Sequence, residues 1–387
     1  VSLFFGARQK SKPQYSSLQV QSSSNNLPLP LCWGLTRLAP NLIWYGDFKA
    51  HKQKAAGKGG GGKGGAQYTY SASVEMALCQ GVSDGVLRVF RDNEKNATLS
   101  SLGLTFLDGS DPQSPWSYLT ASHPEAALSY PGTVIVAKAN YDLGNSASLP
   151  QHSFETKCLR YNTQVGGAGD SDPALCVLDL LTLPIGGCGW STSLIDMDSL
   201  MSGPDAPTTG DSAFQTYCQA MGLGFSPALT SQEQATDVLD RWGKILNTAV
   251  IWNGAQLKFV PYELQSVTGN GVTYIPPVSV GASIYTLTDK DYISGDQGST
   301  VDPIIITRRN PQDQKNRLQM EILNRNKEYN AVPIEWVDQA LVDQFGSRQD
   351  AVFNAHEICE PAIATTCVAL MGQRNAYRGS NQYKFTL

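Results

Sequence analysis

The chain has 387 residues, 41% of them hydrophobic and 16% charged, and 29 Lys+Arg against 34 Asp+Glu leave a net charge of −5. That composition can build packed cores, excludes a disordered polyelectrolyte and disfavours a general nucleic-acid binder. The 36 Gly and 21 Pro predict a turn-dense, β-rich architecture, and no apolar run approaches the roughly 20 residues of a membrane span, so no stable membrane insertion is expected.

Residues 1–30 are polar and irregular and end in Leu27-Pro28-Leu29-Pro30. They read as an N-terminal arm that orders only against something else. The opening apolar residues 1–5 are too few for a signal-peptide core, and the missing Met suggests a processed or trimmed start. Two short strands are predicted on either side of Pro40-Asn41. Residues 49–65, KAHKQKAAGKGGGGKGG, read as a flexible basic loop. After it, Tyr68, Tyr70, Ala72, Val74, Met76 and Leu78 alternate with Thr69, Ser71, Ser73 and Glu75, which predicts a half-buried strand. A turn at residues 80–85, a strand at 86–90, a buried strand at 134–136 and an alternating strand at 153–158 complete a β-rich domain, 31–165.

Glycines at 166–169 mark a boundary into an α/β domain, 166–280. Phe214, Tyr217, Cys218 and Met221 follow helical spacing. Thr230 with Glu233 resembles a capping box before a face of Ala235, Val238, Leu239, Trp242, Ile245 and Leu246. Asn253-Gly254 predicts a hairpin with a two-residue turn, both residues at positive φ. From 281 to 387 the chain is β-rich again, with strands at 284–287, 303–307 and 318–323, a helix opening at Pro361, and a final strand at 383–387 that reads as unfinished. The fold class is therefore α+β and β-rich.

The chemistry-bearing candidates are few. Residues 57–64 satisfy G-x-x-x-x-G-K, but Gly64 stands where a phosphate loop needs a hydroxyl for Mg²⁺, and a strand rather than a helix follows. A mobile basic loop is the reading adopted. His51, His123, His152 and His356 show no metal-ligand spacing and read as surface or turn residues. The eight cysteines lack C-x-x-C spacing and read as reduced, mostly buried side chains. Cys188 sits in a Gly-rich bend without a nucleophile motif. Asp170, Asp172, Asp196 and Asp198 lack the pattern of a calcium loop. Trp116, Tyr118, Tyr141 and Trp190 suit a core better than a carbohydrate platform. No catalytic residue, metal or cofactor is expected. Lys49, Lys52, Lys54, Lys58 and Lys63, with Arg308, Arg309 and Arg317, remain as candidate interface residues. Arg308, Arg309, Lys315, Arg317, Arg325 and Lys327 form one basic concentration, read as interface salt bridges.

Several segments, taken in order, resemble a known family. These are Leu18-Gln19-Val20-Gln21-Ser22-Ser23, the run Pro28-Leu29-Pro30 into Trp33-Gly34-Leu35-Thr36-Arg37-Leu38-Ala39-Pro40-Asn41, and the Gly/Lys loop entering YSASVEMALCQG. Leu149-Pro150 before Ser153-Phe154-Glu155, Trp252-Asn253-Gly254 through Tyr262, and residues 316–330, 345–346 and 374–385 continue the series. The order is similar to phage tail proteins of the tip-attachment and baseplate-hub kind, including the host-specificity protein of lambda-like phages and the hub of gene transfer agents. The resemblance implies two tube-like β-barrel or sandwich hub domains flanking a smaller α/β domain. It implies a homotrimeric structural virion protein at the tail tip, assembled in the bacterial cytoplasm and acting in host attachment and genome ejection. Its implied partners are the distal tail or tail tube protein, the tape measure protein, tail fibre or receptor-binding proteins, and genome DNA in passage. The family usually continues beyond this point of the chain, so the second β-rich domain is expected to be incomplete. A tail-borne cell-wall hydrolase and a carbohydrate- or receptor-binding tail component stand as the alternatives.

Overall fold

The computed structural model describes residues 28–53, 67–92, 94–165, 169–202, 211–277, 286–288, 290–292, 304–308, 314–378 and 381–384. Most of the arm and the Gly/Lys segment 54–66 lie outside them, as do residues 284–285 of the strand expected at 284–287, whose described residues 286–287 are not strand. The chain divides into two units, residues 1–159 with 228–232, and residues 160–227 with 233–387. It is α+β and β-rich, and no sheet among the described residues closes into a barrel.

The first unit contains β1 (Leu31–Cys32), β2 (Leu35–Leu38), β3 (Asn41–Gln53), β4 (Gln67–Gln80), β5 (Gly85–Arg91), β6 (Glu94–Ala97), α1 (Leu99–Leu102), β7 (Thr105–Leu107), α2 (Ser117–Ser122), β8 (Thr133–Gly144), β9 (His152–Lys157) and β10 (Ala228–Leu229). One sheet runs β10-β1-β4-β8-β7, with β3 also paired to β4; a second runs β2-β9-β5-β6. Val74, Met76, Leu78, Val134 and Val136 of the first sheet pack with Leu38, Val89 and Phe154 of the second in one buried cluster. This is sandwich packing, driven by the apolar alternation of β4.

Two expectations change here. The basic segment does not begin as a loop: residues 49–53 continue β3 and pair with residues 67–71 of β4, because Phe48 and Ala50 pack on the core. The polar face of β4 is not solvated either. Ser73 and Glu75 are buried, since Trp116 and Leu119 cover this face beside Trp44 and Ala137.

The second unit holds α3 (Pro173–Thr182), α4 (Met197–Leu200), α5 (Phe214–Met221), α6 (Ala235–Ile245), β11 (Thr248–Trp252), β12 (Leu257–Pro261), β13 (Val267–Gly269), β14 (Val272–Tyr274), β15 (Ile305–Arg308), β16 (Arg317–Asn324), β17 (Asn330–Val337), α7 (Gln339–Phe345), β18 (Phe353–Asn354), α8 (Pro361–Gln373) and β19 (Asn381–Lys384). Its sheets are small: β11-β12, β13-β14, β15-β19 and β17-β16-β18. Phe214, Tyr217, Cys218, Val238, Leu239, Trp242 and Cys367 are buried, as their helical spacing requires. Phe225 meets Trp242 edge-on at 5.1 Å, and Tyr217 meets Tyr274 at 5.3 Å. Pro361 opens α8 at its first turn.

Two local details differ from the sequence reading. Thr230 does not cap α6; the helix starts one turn later with Gln234 as its N-cap, and Glu233 pairs with Arg241 instead. The hairpin turn is longer than two residues. Trp252 pairs with Leu257, only Gly254 takes positive φ (96°), and Asn253 Oδ1 accepts from the backbone N–H of Ala255 and Gln256. Asn253 thus works as an Asx-turn residue at the start of a four-residue loop.

Candidate functional site

The interface candidates divide between the units. Lys49 and Lys52 stand exposed on the outer half of β3, opposite Ser71 and Tyr68 of β4. Lys49 Nζ donates to Asn140 Oδ1 at 3.4 Å. Lys54, Lys58 and Lys63 continue this basic stretch outside the described residues, as do the glycines of the phosphate-loop-like segment. In the second unit Arg308 ends β15, Arg309 lies outside the described residues, and Arg317 pairs with Glu335 across the β16–β17 ladder at 2.7 Å. Arg325 departs from the expected surface role. It is buried, and its guanidinium donates to Asp170 at 2.6 Å.

A polar cluster that sequence reasoning missed lies on the covered face of β4. A bulge between Gly46 and Lys49 puts Asp47 at φ 50°, which turns its carboxylate toward α2. Tyr118 Oη donates to Asp47 Oδ2 at 2.6 Å, His123 Nε2 lies 3.1 Å from the same oxygen, and Ser73 Oγ reaches Tyr118 Oη at 3.3 Å. The Tyr118 hydrogen bond holds the Asp47 carboxyl below its ordinary range, and the reciprocal contact pushes the Tyr118 phenol up. Next along β4, Glu75 sits between Trp44 of β3 and Ala137 of β8. It is 1% exposed, and its Oε1 has no hydrogen-bond partner. Burial pushes its carboxyl up to about 7. The only sequence signal was Trp116, Tyr118 and Leu119, spaced as the inner face of a short helix able to cover a sheet.

The remaining candidates resolve into structural roles. His51 reaches Ser71 Oγ at 2.8 Å, and His356 pairs with Glu321 at 2.9 Å. His152 is buried rather than superficial, bonded to Tyr141 Oη at 2.8 Å, and burial pushes its imidazole down. All eight cysteines are free and all but Cys188 are buried. Burial pushes the Cys32 thiol up, with Cys158 beside it, so the thiol stays protonated and inert. Trp116 and Tyr141 are core residues.

The acidic candidates Asp170, Asp172 and Asp196 of the second unit likewise have structural partners. Asp170 also accepts from Ser226 Oγ at 2.6 Å. Asp172 caps α3 through the Ala174 N–H at 2.9 Å and accepts from Gln215 and Gln219, each at 2.9 Å. Arg241 bridges Glu233 and Glu357 at 2.6 Å each, and Asp196 caps α4. Among the described residues no group of His, Cys, Asp and Glu is arranged to hold a metal. One open cavity of the first unit is lined by Ser83, Asp84, Asp108, Ser110 and Gln113. The arrangement can fix elements against one another and present charged surface.

Residues 234–387 match the model of a family described as "Putative phage tail protein". The structure is similar to a chain from the virion of a native gene transfer agent particle, with TM-score 0.57 and 17% sequence identity, over 98% of this chain and 79% of that one. No curated protein matches the chain. The latter part of the chain thus matches a tail-protein family model, and the fold resembles that of a virion chain.

Proposed function

We propose that the chain is a non-enzymatic structural protein of a phage-type tail, the homotrimeric hub that closes the distal end of the tail tube. The observation carrying this reading is the likeness to a virion chain along 98% of the length, joined to a tail-protein match over residues 234–387. The ion pairs Arg325–Asp170 and Arg88–Glu155, each with a buried carboxylate, agree with a load-transmitting role. In this reading two tube-like β-domains per protomer give three copies a quasi-sixfold ring matching the tail tube or distal tail ring. The hub also contacts the tape measure protein and carries tail fibre or receptor-binding proteins, and genome DNA passes it during ejection. Lys49, Lys52, Lys54, Lys58 and Lys63 would dock on an acidic neighbouring ring subunit, and Arg308, Arg309 and Arg317 on neighbouring chains.

The test is to locate the chain in particles. Electron micrographs of tails carrying a tagged chain should show label at the distal tip only, and native mass spectrometry of the released tip should give three copies. Label along the tube, in the head or absent from the particle would overturn the reading.

A further inference from the structure

Resting on the oligomeric reading above, we propose that the second unit carries a strand-docking pair, in which the bare edge of β11 in one copy receives β15 of the next copy as an added strand. Among the described residues β11 pairs only with β12. The Asn253 N–H donates to Gln256 O at 3.0 Å and the Tyr262 N–H to Asn247 O at 2.9 Å. Antiparallel pairing alternates, so these two bonds set the mutually bonded positions at the odd residues of β11. The peptide N–H and C=O of Val250 and Trp252 therefore point away from β12, toward an open edge.

That edge lacks the features that normally block pairing. Thr248, Ala249, Val250, Ile251 and Trp252 include no charge and no proline, and Ile251 is 48% and Trp252 51% exposed. The same unit shows the usual protection elsewhere: β17, the edge of its three-stranded sheet, carries Pro333 and Glu335. An apolar edge with no further strand on it among the described residues is a template for another strand.

The occupant is argued from β15. It pairs only with β19 among the described residues. Successive residues Ile305 and Ile306 are 53% and 51% exposed, so this ribbon buries neither face at that point. A two-stranded ribbon is marginal in water and gains from a third strand. Both strands are short and rich in β-branched residues. Their charges also suit: Asp237 stands exposed on α6, the helix that packs along β11, with Asp240 taken by Lys244, whereas Arg308 and Arg309 close β15 in sequence. Joining β11 to β15 is a heterologous contact, which can close into a ring of three; joining β11 to β11 would be isologous and would stop at a dimer.

The experiment mixes two variants of this chain, Trp252→Cys and Ile306→Cys, under mild oxidation, with native mass spectrometry and peptide mapping as separate readouts. The expected result is an oligomer with a disulfide between residues 252 and 306 in the mixture and in neither variant alone. Trp252→Lys should weaken association by about tenfold or more while the circular dichroism stays unchanged. An oligomer with no 252–306 link, or with 252–252 links only, overturns this pairing and leaves the hub reading standing. A monomer without cross-links overturns both.

Discussion

Replacing Glu75 by Gln tests how the covered face of β4 is held. The carboxyl is 1% exposed, its Oε1 lacks a partner, and burial raises it from 4.5 to about 7. A pKa raised on folding means the native state binds the proton more tightly than the unfolded chain. The stabilisation is then fully present below the unfolded value, falls as pH rises from about 4.5, and is gone above about 7. At 1.36 kcal/mol per unit, that span corresponds to about 3 kcal/mol. Gln cannot ionise, so the variant escapes this loss. Its own amide meets the same sparse surroundings, at a cost of about 1–3 kcal/mol that does not depend on pH. The diagnostic quantity is therefore the difference between two conditions: relative to the parent, Glu75→Gln should gain about 3 kcal/mol in going from about pH 4.5 to pH 8. Urea titrations read by hydrogen exchange of the β4 and β8 peptides would measure it for the first unit alone. An equal effect of the substitution at both pH values would refute the argument, because Glu75 would then not titrate in this window.

Two further outcomes follow from the ion pairs and the basic stretch. Arg325→Met leaves Asp170 buried without its cation and should cost about 3–5 kcal/mol in urea unfolding of the second unit, most of it recovered in the double variant with Asp170→Leu; a loss below about 1 kcal/mol for the single change would contradict a buried pair. Replacing Lys49, Lys52, Lys54, Lys58 and Lys63 with Ser should impair joining of hub to tube, most visibly at low salt, with the chain still folded; unchanged tail assembly at low and high salt would remove these lysines from the interface.

The periodic elements were legible in the sequence. The apolar positions of β4, α5 and α6 were recovered because burial imposes a strict spacing on each. What was lost depended on a second element. Ser73 and Glu75 look like a solvated face until the segment holding Trp116 and Leu119 folds over them. Residues 49–53 look like loop by composition, and only pairing with β4 makes them strand. Glu233 looks like a capping residue until Arg241, two turns on, takes it into an ion pair. In each case a short local pattern was overruled by a contact distant in sequence or two turns away, which propensity alone does not contain.

The same reasoning bears on the interface residues. Lysines on a Gly-rich stretch and arginines near a strand share one signature in sequence, yet their physical situations differ. Arg325 is consumed by Asp170 inside the fold and Arg317 by Glu335 on the β16–β17 ladder, so neither retains a charge for a partner without first giving one up. Lys49 and Lys52 are held on a strand and keep exposed side chains. The apolar edge of β11 carries no charge at all and was not singled out by composition. A surface meant for a neighbouring strand is specified by backbone groups left open and by the absence of blocking residues, and a search for charged clusters is blind to both. The informative sequence feature was the contrast between TAVIW in β11 and NAVPIEWV in β17: two edges of one unit, only one of them closed to pairing.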